Sequence, residues 1–410
     1  MKIMNRYEKW MYGREKGDRM RRTGENSRVS SQHNRGLILR LIATGRCHSR
    51  IELARETKLT KMTITNIVAE FRRNHILEEA EERPNDIRGR NPITVKVAPE
   101  APKVIGVLIG KTYCETVLCD LNLQILEREK KTFGSELTES ALIENICHLI
   151  DQMLQKEQKI LGIGIASIGP IDGTRGTILN PSDFYGIQNV EVTEALRNRY
   201  DYPVFMDRDG NSAALAEALY GEGKEDHDFI YLGIADEINS AVITEGELFR
   251  NRKGYAPEIG HVCINPHGNS CICGHHGCLQ AYAGSGVVLE KLKSATGENR
   301  TFEEFCSHVS EGKTDQILKE MMEDLSVALV SSINLLHPES ILIGEEGVYL
   351  PDQYLEYLEC NINANKFIQG QSDIAVKRAG FRKDARLLGA ACNVILEVFN
   401  GNIPFQAETE

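Results

Sequence analysis

No stretch of this 410-residue chain stays apolar over the length of a bilayer, which excludes a membrane-spanning helix. The N-terminus, MKIMNRYEKWMYGREKGDRMRR, lacks the apolar core of a signal peptide, so a cytoplasmic protein is expected rather than an exported one. An even cysteine framework is missing too. Eleven cysteines are an odd number, explained better by reduced thiols and metal ligands than by disulfides. The remaining composition, 41% hydrophobic and 26% charged, is that of a soluble globular protein, with length for roughly two to three domains.

Charge is unevenly spread. Residues 1–97 hold 22 Lys/Arg against 12 Asp/Glu, a balance of +10 in a chain whose total is -11. A basic segment joined to an acidic body implies that the first part meets a polyanion. Residues 1–28 read as a basic, disordered extension, and 29–97 as a winged helix-turn-helix. The first helix, near 33–44, carries Leu37, Ile38, Leu41 and Ile42 on one face and stops at Gly45. The second opens with Ser49 and Glu52 in capping-box spacing, and the third opens at Thr60 and turns Ile64, Ile67, Val68 and Phe71 inward. Its polar face, with Lys61, Thr63, Thr65, Asn66 and Arg73, suits a major groove, and Ser49 and Arg50 at the second helix complete the expected contacts. Strands near His75–Glu79 and Ile93–Val97 form the wing, whose turn places Arg88 and Arg90 for a minor groove. The competing reading of this segment is a small protein-interaction domain.

Residues 258–278, EIGHVCINPHGNSCICGHHGC, gather His261, Cys271, Cys273 and Cys278 in one glycine-studded stretch. One imidazole and three thiols fit a closed, tetrahedral, structural zinc site, with Gly268, Gly274 and Gly277 permitting the turns. From Lys103 onward, KVIGVLIG, ETVLCDL and QILEREKKTF read as strands, followed by a helix over 139–156 and the strand ILGIGIAS. FIYLGIADEINSAVITEGELF repeats the opening, which points to a duplicated α/β body with a cleft.

The helix-turn-helix, the duplicated body, the ExGH at Glu258 to His261 and the CxCGxxGC at Cys271 to Cys278 together resemble the ROK family of repressors, open reading frames and kinases. The resemblance implies an α/β fold in which the winged helix precedes two actin-like, ribonuclease-H-like lobes. The first would span 98–209 and be completed by a C-terminal helix at about 386–400; the second, with the zinc, would span 210–385. Kinase members phosphorylate sugars with ATP, whereas repressor members sense sugars. Family kinases begin with a DxGGT hairpin; here Leu108 to Thr112 lacks both the carboxylate and the second glycine. The second phosphate loop reads Ala235, Asp236, Glu237, Ile238, Asn239, Ser240, and the adenosine loop Gly344, Glu345, Glu346, Gly347. Added carboxylates repel a triphosphate, so ATP use is not expected.

Asp209 occupies the position of the kinase base, with a helix-capping role as the alternative. The resemblance assigns Gly169, Pro170, Asp183, Asp209, Glu258 and His261 to effector binding, with Arg208 where the family has Asn and Gln280 where it has Glu. These two changes make the pocket less negative and suggest an anionic effector such as a sugar phosphate, clamped by Arg208; the alternative is that Arg208 pairs with Asp207 or Asp183. The expectation is a repressor of carbohydrate-utilisation genes that binds an operator as a homodimer, with further pairing into tetramers left open. Its competitors are an ATP-dependent carbohydrate kinase acting through Asp209 and a metal-responsive regulator with a labile zinc.

Overall fold

The computed structural model of the chain describes residues 27–81, 93–250, 255–309, 312–370 and 372–403. The extension to residue 26, and Arg88 and Arg90 of the expected wing turn, lie outside the described residues. The head begins with α1 (Ser27–Ala43), α2 (Arg50–Thr57) and α3 (Lys61–Arg73), followed by β1 (Leu77–Glu81) and β2 (Ile93–Val97). The Ser49 hydroxyl accepts the Glu52 N–H at 3.2 Å, while the Glu52 carboxylate reaches back to the N–H of His48 rather than that of Ser49. Thr60 caps α3 through the N–H of Thr63. The two strands pair antiparallel from Leu77 opposite Val97 to Glu81 opposite Ile93, and Ile38, Leu39, Leu53, Ile64, Val68, Phe71 and Ile76 fill the core beneath them.

The body opens with β3 (Lys103–Ile109), β4 (Tyr113–Cys119), β5 (Ile125–Thr132), α4 (Glu139–Lys156), β6 (Ile160–Ser167), β7 (Ile171–Asp172), β8 (Thr177–Ile178), α5 (Val192–Arg199) and β9 (Val204–Arg208). After α6 (Asp209–Tyr220) come β10 (Phe229–Ile234), β11 (Ile238–Thr244) and β12 (Glu247–Leu248). Helices α7 (Gln280–Ala283), α8 (Ser285–Thr296), α9 (Phe302–Ser307) and α10 (Lys313–Leu336) precede β13 (Ser340–Glu345), α11 (Asp352–Asn365), β14 (Ala375–Arg378) and α12 (Ala385–Phe399). Two five-stranded mixed sheets result, ordered β5-β4-β3-β6-β9 and β12-β11-β10-β13-β14. In each, an antiparallel meander is followed by two parallel additions. The apolar runs of β3, β6, β10 and β13 reflect burial on both faces.

The two sheets are joined by exchanged helices. Helix α6 leaves the first sheet but packs on β10 and β11 of the second, whereas α12 leaves the second and packs on β3, β4, β6 and β9 of the first. Where they cross, a Cβ at Gly389 would overlap the Ser212 carbonyl oxygen; Gly164 lets α12 lie as close on β6, and Gly106 admits it, less tightly, on β3. Asn393 seals the crossing by donating to the Ile165 carbonyl at 2.9 Å and to the Ser212 hydroxyl at 3.0 Å. The buried Glu217 carboxylate accepts from the N–H groups of Glu222 (2.9 Å), Gly380 (3.0 Å) and Phe381 (2.9 Å), so it pins the chain leaving α6 and the chain entering α12.

The head continues into the same core. Helix α1 begins at Ser27 rather than near residue 33, because its extra turns lie against the end of α12, a contact that local periodicity does not encode. Gly36 sits on the Phe399 carbonyl and Gly401 on that of Gln32, positions at which a Cβ would collide. The buried Lys103 ammonium donates to the carbonyls of Pro99 and Ala101, fixing the segment between head and body.

Replacing Gly389 by Ala is expected to destabilise the protein by about 1–3 kcal/mol in denaturant melts, since backbone must move to admit the methyl group. Helix propensity alone would stabilise it by up to about 1 kcal/mol. A more stable variant would show that the crossing is loose.

Candidate functional site

The ligand set expected for zinc is assembled. The donor atoms of His261, Cys271, Cys273 and Cys278 all lie within 4.8 Å of one another. Cys273 and Cys278 sulfurs stand 3.7 Å apart, and Cys271 sulfur is 3.6 Å from His261 Nδ1. A tetrahedral zinc with bonds of about 2.3 Å to sulfur requires sulfur separations of roughly 3.8 Å, so the donors fit such an ion. Gly277, at φ +78°, closes the loop over the Asn265 carbonyl, where no side chain would fit. Burial alone would raise the Cys273 thiol, but the N–H and ring of His275 and the neighbouring sulfurs bring it down to about 7, while burial and the same sulfurs push Cys278 up to about 12. A thiolate is therefore accessible near neutral pH. Sequence reasoning passed over His275, whose Nδ1 lies 3.5 Å from Cys273.

The cleft lies beside this loop, between the sheets. The edge of β9 and the start of α6 present Asp207, Arg208 and Asp209, of which the two carboxylates are buried. Gly169, joined to the exposed Pro170 by a cis peptide, lies flat on the Arg208 guanidinium. Arg208 pairs with Glu258 and stands 3.9 Å from Asp209. The expectation of an Arg208 free to clamp an anion is thus corrected: its charge is already balanced by carboxylates on both sides. His261 is close enough for burial and then the Arg208 charge to push its imidazole below the usual range, favouring the neutral, metal-binding form.

Two expected contacts fall elsewhere. Gln280 is buried, its amide oxygen accepting from Ile238 N–H and its amide nitrogen donating to the Asp236 carbonyl, so it braces the loop between β10 and β11. Asp183, in a left-handed backbone conformation, lies 3.8 Å from Lys111. Lys111 in turn reaches Glu237 at 3.3 Å, tying the β3–β4 turn of one sheet to the β10–β11 turn of the other.

Several residues of the cleft escaped the sequence reading. Arg250 reaches across to Asp207. Arg386, at the start of α12, binds Glu345 at 2.7 Å and Asp209 at 3.3 Å. An arginine opening the otherwise apolar ARLLGAAC was the available signal. Glu345 holds φ +56°, and burial raises its carboxyl to about 7 against the opposing pull of Arg386. Ser285 donates to Glu346, so the adenosine loop expected from the sequence is cross-linked to α8.

On the head, Lys61, Thr65, Asn66 and Arg73 are exposed along α3 and Thr63 half-exposed, opposite the buried stripe. Arg50 departs from expectation: it binds Glu79 at 2.6 Å, and Arg72 takes the other oxygen of the same carboxylate. Its charge ties α2 and α3 to β1 instead of standing free. The Ser49 hydroxyl is engaged as the cap.

The profile of the ROK family matches residues 104–396, most of the chain. The chain belongs to the ROK family. It is 25% identical over 395 residues to a xylose repressor of Caldicellulosiruptor bescii, covering 92% of this chain and 98% of that one. A crystal structure of a ROK family transcriptional regulator, described as a homologue of the E. coli Mlc protein, superposes with a TM-score of 0.77 at 23% identity over 92% of this chain and 98% of that one. A ROK hexokinase from Thermus thermophilus superposes with a TM-score of 0.63 at 26% identity over 72% of this chain and 99% of that one.

Within a ROK body the substitutions gain meaning. The β3–β4 and β10–β11 hairpin turns are bonded to each other through the exposed pair of Lys111 and Glu237, and Arg386 pairs with Glu345.

Two outcomes are expected. Purified protein should contain about one zinc per chain by elemental analysis, and Cys278→Ser should lose the metal and lower the melting temperature; a metal-free native protein of equal stability would contradict the fit. Because Glu345 is held above its unfolded range, the folded state binds its proton more tightly. That contribution is complete below about pH 4.3 and fades as pH rises through about 7. Glu345→Gln should flatten this decline in melts between about pH 5 and pH 8; parallel pH profiles would assign it to other groups.

Proposed function

We propose that this chain is a DNA-binding transcriptional repressor of sugar-utilisation genes, in which a kinase-type body serves as sugar sensor without ATP chemistry. The observation that carries the reading is α3, whose buried stripe faces the head and whose exposed side offers Lys61, Thr65, Asn66 and Arg73. A helix of this form, preceded by α2 across a short turn and followed by a two-stranded sheet, is what a winged helix-turn-helix lays in a major groove. The similarity to a xylose repressor runs over the head as well as the body, whereas the match to the hexokinase covers 72% of the chain. The domain division in this reading is a winged helix over 29–97, a first actin-like lobe over 98–209 completed by α12, and a second lobe over 210–385.

The effector enters beside Gly169, Pro170, Arg208, Asp209, Glu258 and His261. A site whose arginine is already neutralised suits a neutral sugar better than a phosphorylated one, since an anion would have to displace Glu258. The zinc is structural: by fixing His261 it holds the turn that carries Glu258. Two heads on a twofold dimer would read a palindromic operator in the cytoplasm.

The test begins with duplexes selected from a random pool. Asn66→Ala should weaken binding to the selected site by about 1–3 kcal/mol in fluorescence anisotropy and relax its sequence preference, while Lys61→Ala weakens all sequences alike. A coupled ADP-release assay across common hexoses should show no turnover. Failure to select any sequence, or turnover abolished by Asp209→Asn, would replace this reading by that of a sugar kinase.

A further inference from the structure

The head does not rest on one lobe. Its α1 is clasped to the end of α12, where Gly36 and Gly401 bring the two backbones together, and α12 is itself embedded on the first sheet through Gly106 and Gly164. The other end of α1 faces the second lobe. In the turn that follows α1, the Arg46 guanidinium donates to the Lys224 carbonyl, in the segment that leads from α6 into β10. Arg40, one helical turn and a half earlier, lies within the electrostatic reach of Glu247 on β12. Leu248, beside Glu247, packs against the apolar core that the head shares with α12.

From this we propose that α1 spans the hinge between the lobes and reads their separation, with Arg46 on the Lys224 carbonyl as the contact that reports it. The inference rests on the regulator reading given above and adds its route. Anchorage to the first lobe is backbone against backbone; the second lobe is met by apolar packing at Leu248 and by one exposed polar contact, Arg46 on the Lys224 carbonyl. When the lobes rotate about the α6–α12 crossing, the rigid end carries the head with the first lobe and the Arg46 end must slide or let go. The turn between α1 and α2 is therefore where cleft geometry becomes head orientation. That turn is otherwise well held: the N–H groups of Arg46 and Cys47 both donate to the Leu41 carbonyl at 2.9 Å. Those amides supply a built-in probe.

The cleft can be biased without knowing the effector, because Lys111 and Glu237 bridge the lobes on the side away from the head's anchorage. In the full-length protein, Glu237→Lys and Lys111→Glu each place like charges across the cleft, and the double exchange restores an opposite pair. Each single variant should change hydrogen exchange at the Arg46 and Cys47 amides by about threefold or more, and the double exchange should return it to the native rate. With Arg46→Ala in place, none of these substitutions should alter exchange in α1. Affinity for the selected operator should follow the same pattern, shifting about fivefold or more with the single variants only when Arg46 is present. The proposal is overturned if the single variants leave the α1 turn unchanged, or if their effects are as large in the Arg46→Ala background. An Arg46 that merely touched DNA would lower affinity equally with either residue at 237 and would leave exchange uncoupled. Because the exchange arm needs no DNA, coupling without sequence-specific binding would retain this inference and sink the regulator reading, and the reverse pattern would do the opposite.

Discussion

Everything in this molecule is hung on the crossing of α6 and α12. Each helix belongs by sequence to one sheet and by packing to the other, so the crossing is both the covalent return path and the mechanical pivot. It can be this tight only because Gly389 has no side chain to hold off Ser212. Around it the polar groups are spent on fixing the exits: Glu217 holds three N–H groups from the two connections, and Asn393 stitches α12 to both β6 and α6. Burial raises the Glu217 carboxyl from its ordinary range although those same N–H groups pull it down. A buried carboxylate kept at that cost belongs where geometry must not drift. The cleft opens on one side of this pivot and the head sits on the other.

Across the cleft, opposite charges attract. Five ion pairs join the lobes among the described residues: Lys111 to Glu237, Arg128 to Asp384, Arg208 to Glu258, Arg250 to Asp207 and Arg386 to Glu345. They differ in weight. Lys111 and Glu237 are both well exposed, and such a pair contributes roughly 0–1 kcal/mol. Glu345 is buried and Arg386 largely covered, so losing the arginine would strand a carboxylate in the interior, at a cost of about 3–5 kcal/mol. The inner pair thus sets the pivot and the outer pairs set how readily the mouth moves. Asp209 lies between Arg208, at 3.9 Å, and Arg386, at 3.3 Å.

Much of this was legible in the sequence where the cause is local. The three helices of the head, the helix over 139–156 and the strand over 160–167 follow from apolar period and capping residues that act within a few positions. The gathering of His261 with Cys271, Cys273 and Cys278 was legible because four donors crowd into one loop. Contacts made over long separations were not. Nothing near residue 36 announces that its glycine meets Phe399, and nothing near Arg208 says that Glu258 will neutralise it. Arg50 looked free in a basic stretch, but Glu79 on the wing strand takes it. The loops that depart from the kinase pattern carried the converse lesson: the extra carboxylates at 237 and 345 were read as repelling phosphate, and in the fold they are attractors that recruit Lys111 and Arg386.

Under the function proposed above, that recruitment would let a kinase-type hinge serve as a switch without a new part. Here the bridges are permanent but mostly weak. To change operator affinity tenfold to a hundredfold, a ligand has to favour one lobe arrangement by about 1.4–2.8 kcal/mol. That is the size of a few outer ion pairs, and under the function proposed above a sugar bound beside Arg208 and Glu258 would act directly on one of them. Stronger bridges would leave the cleft deaf to a neutral ligand, and none at all would leave the two arrangements undefined. Outer pairs of moderate strength set around a rigid pivot keep both arrangements within reach of a single bound sugar.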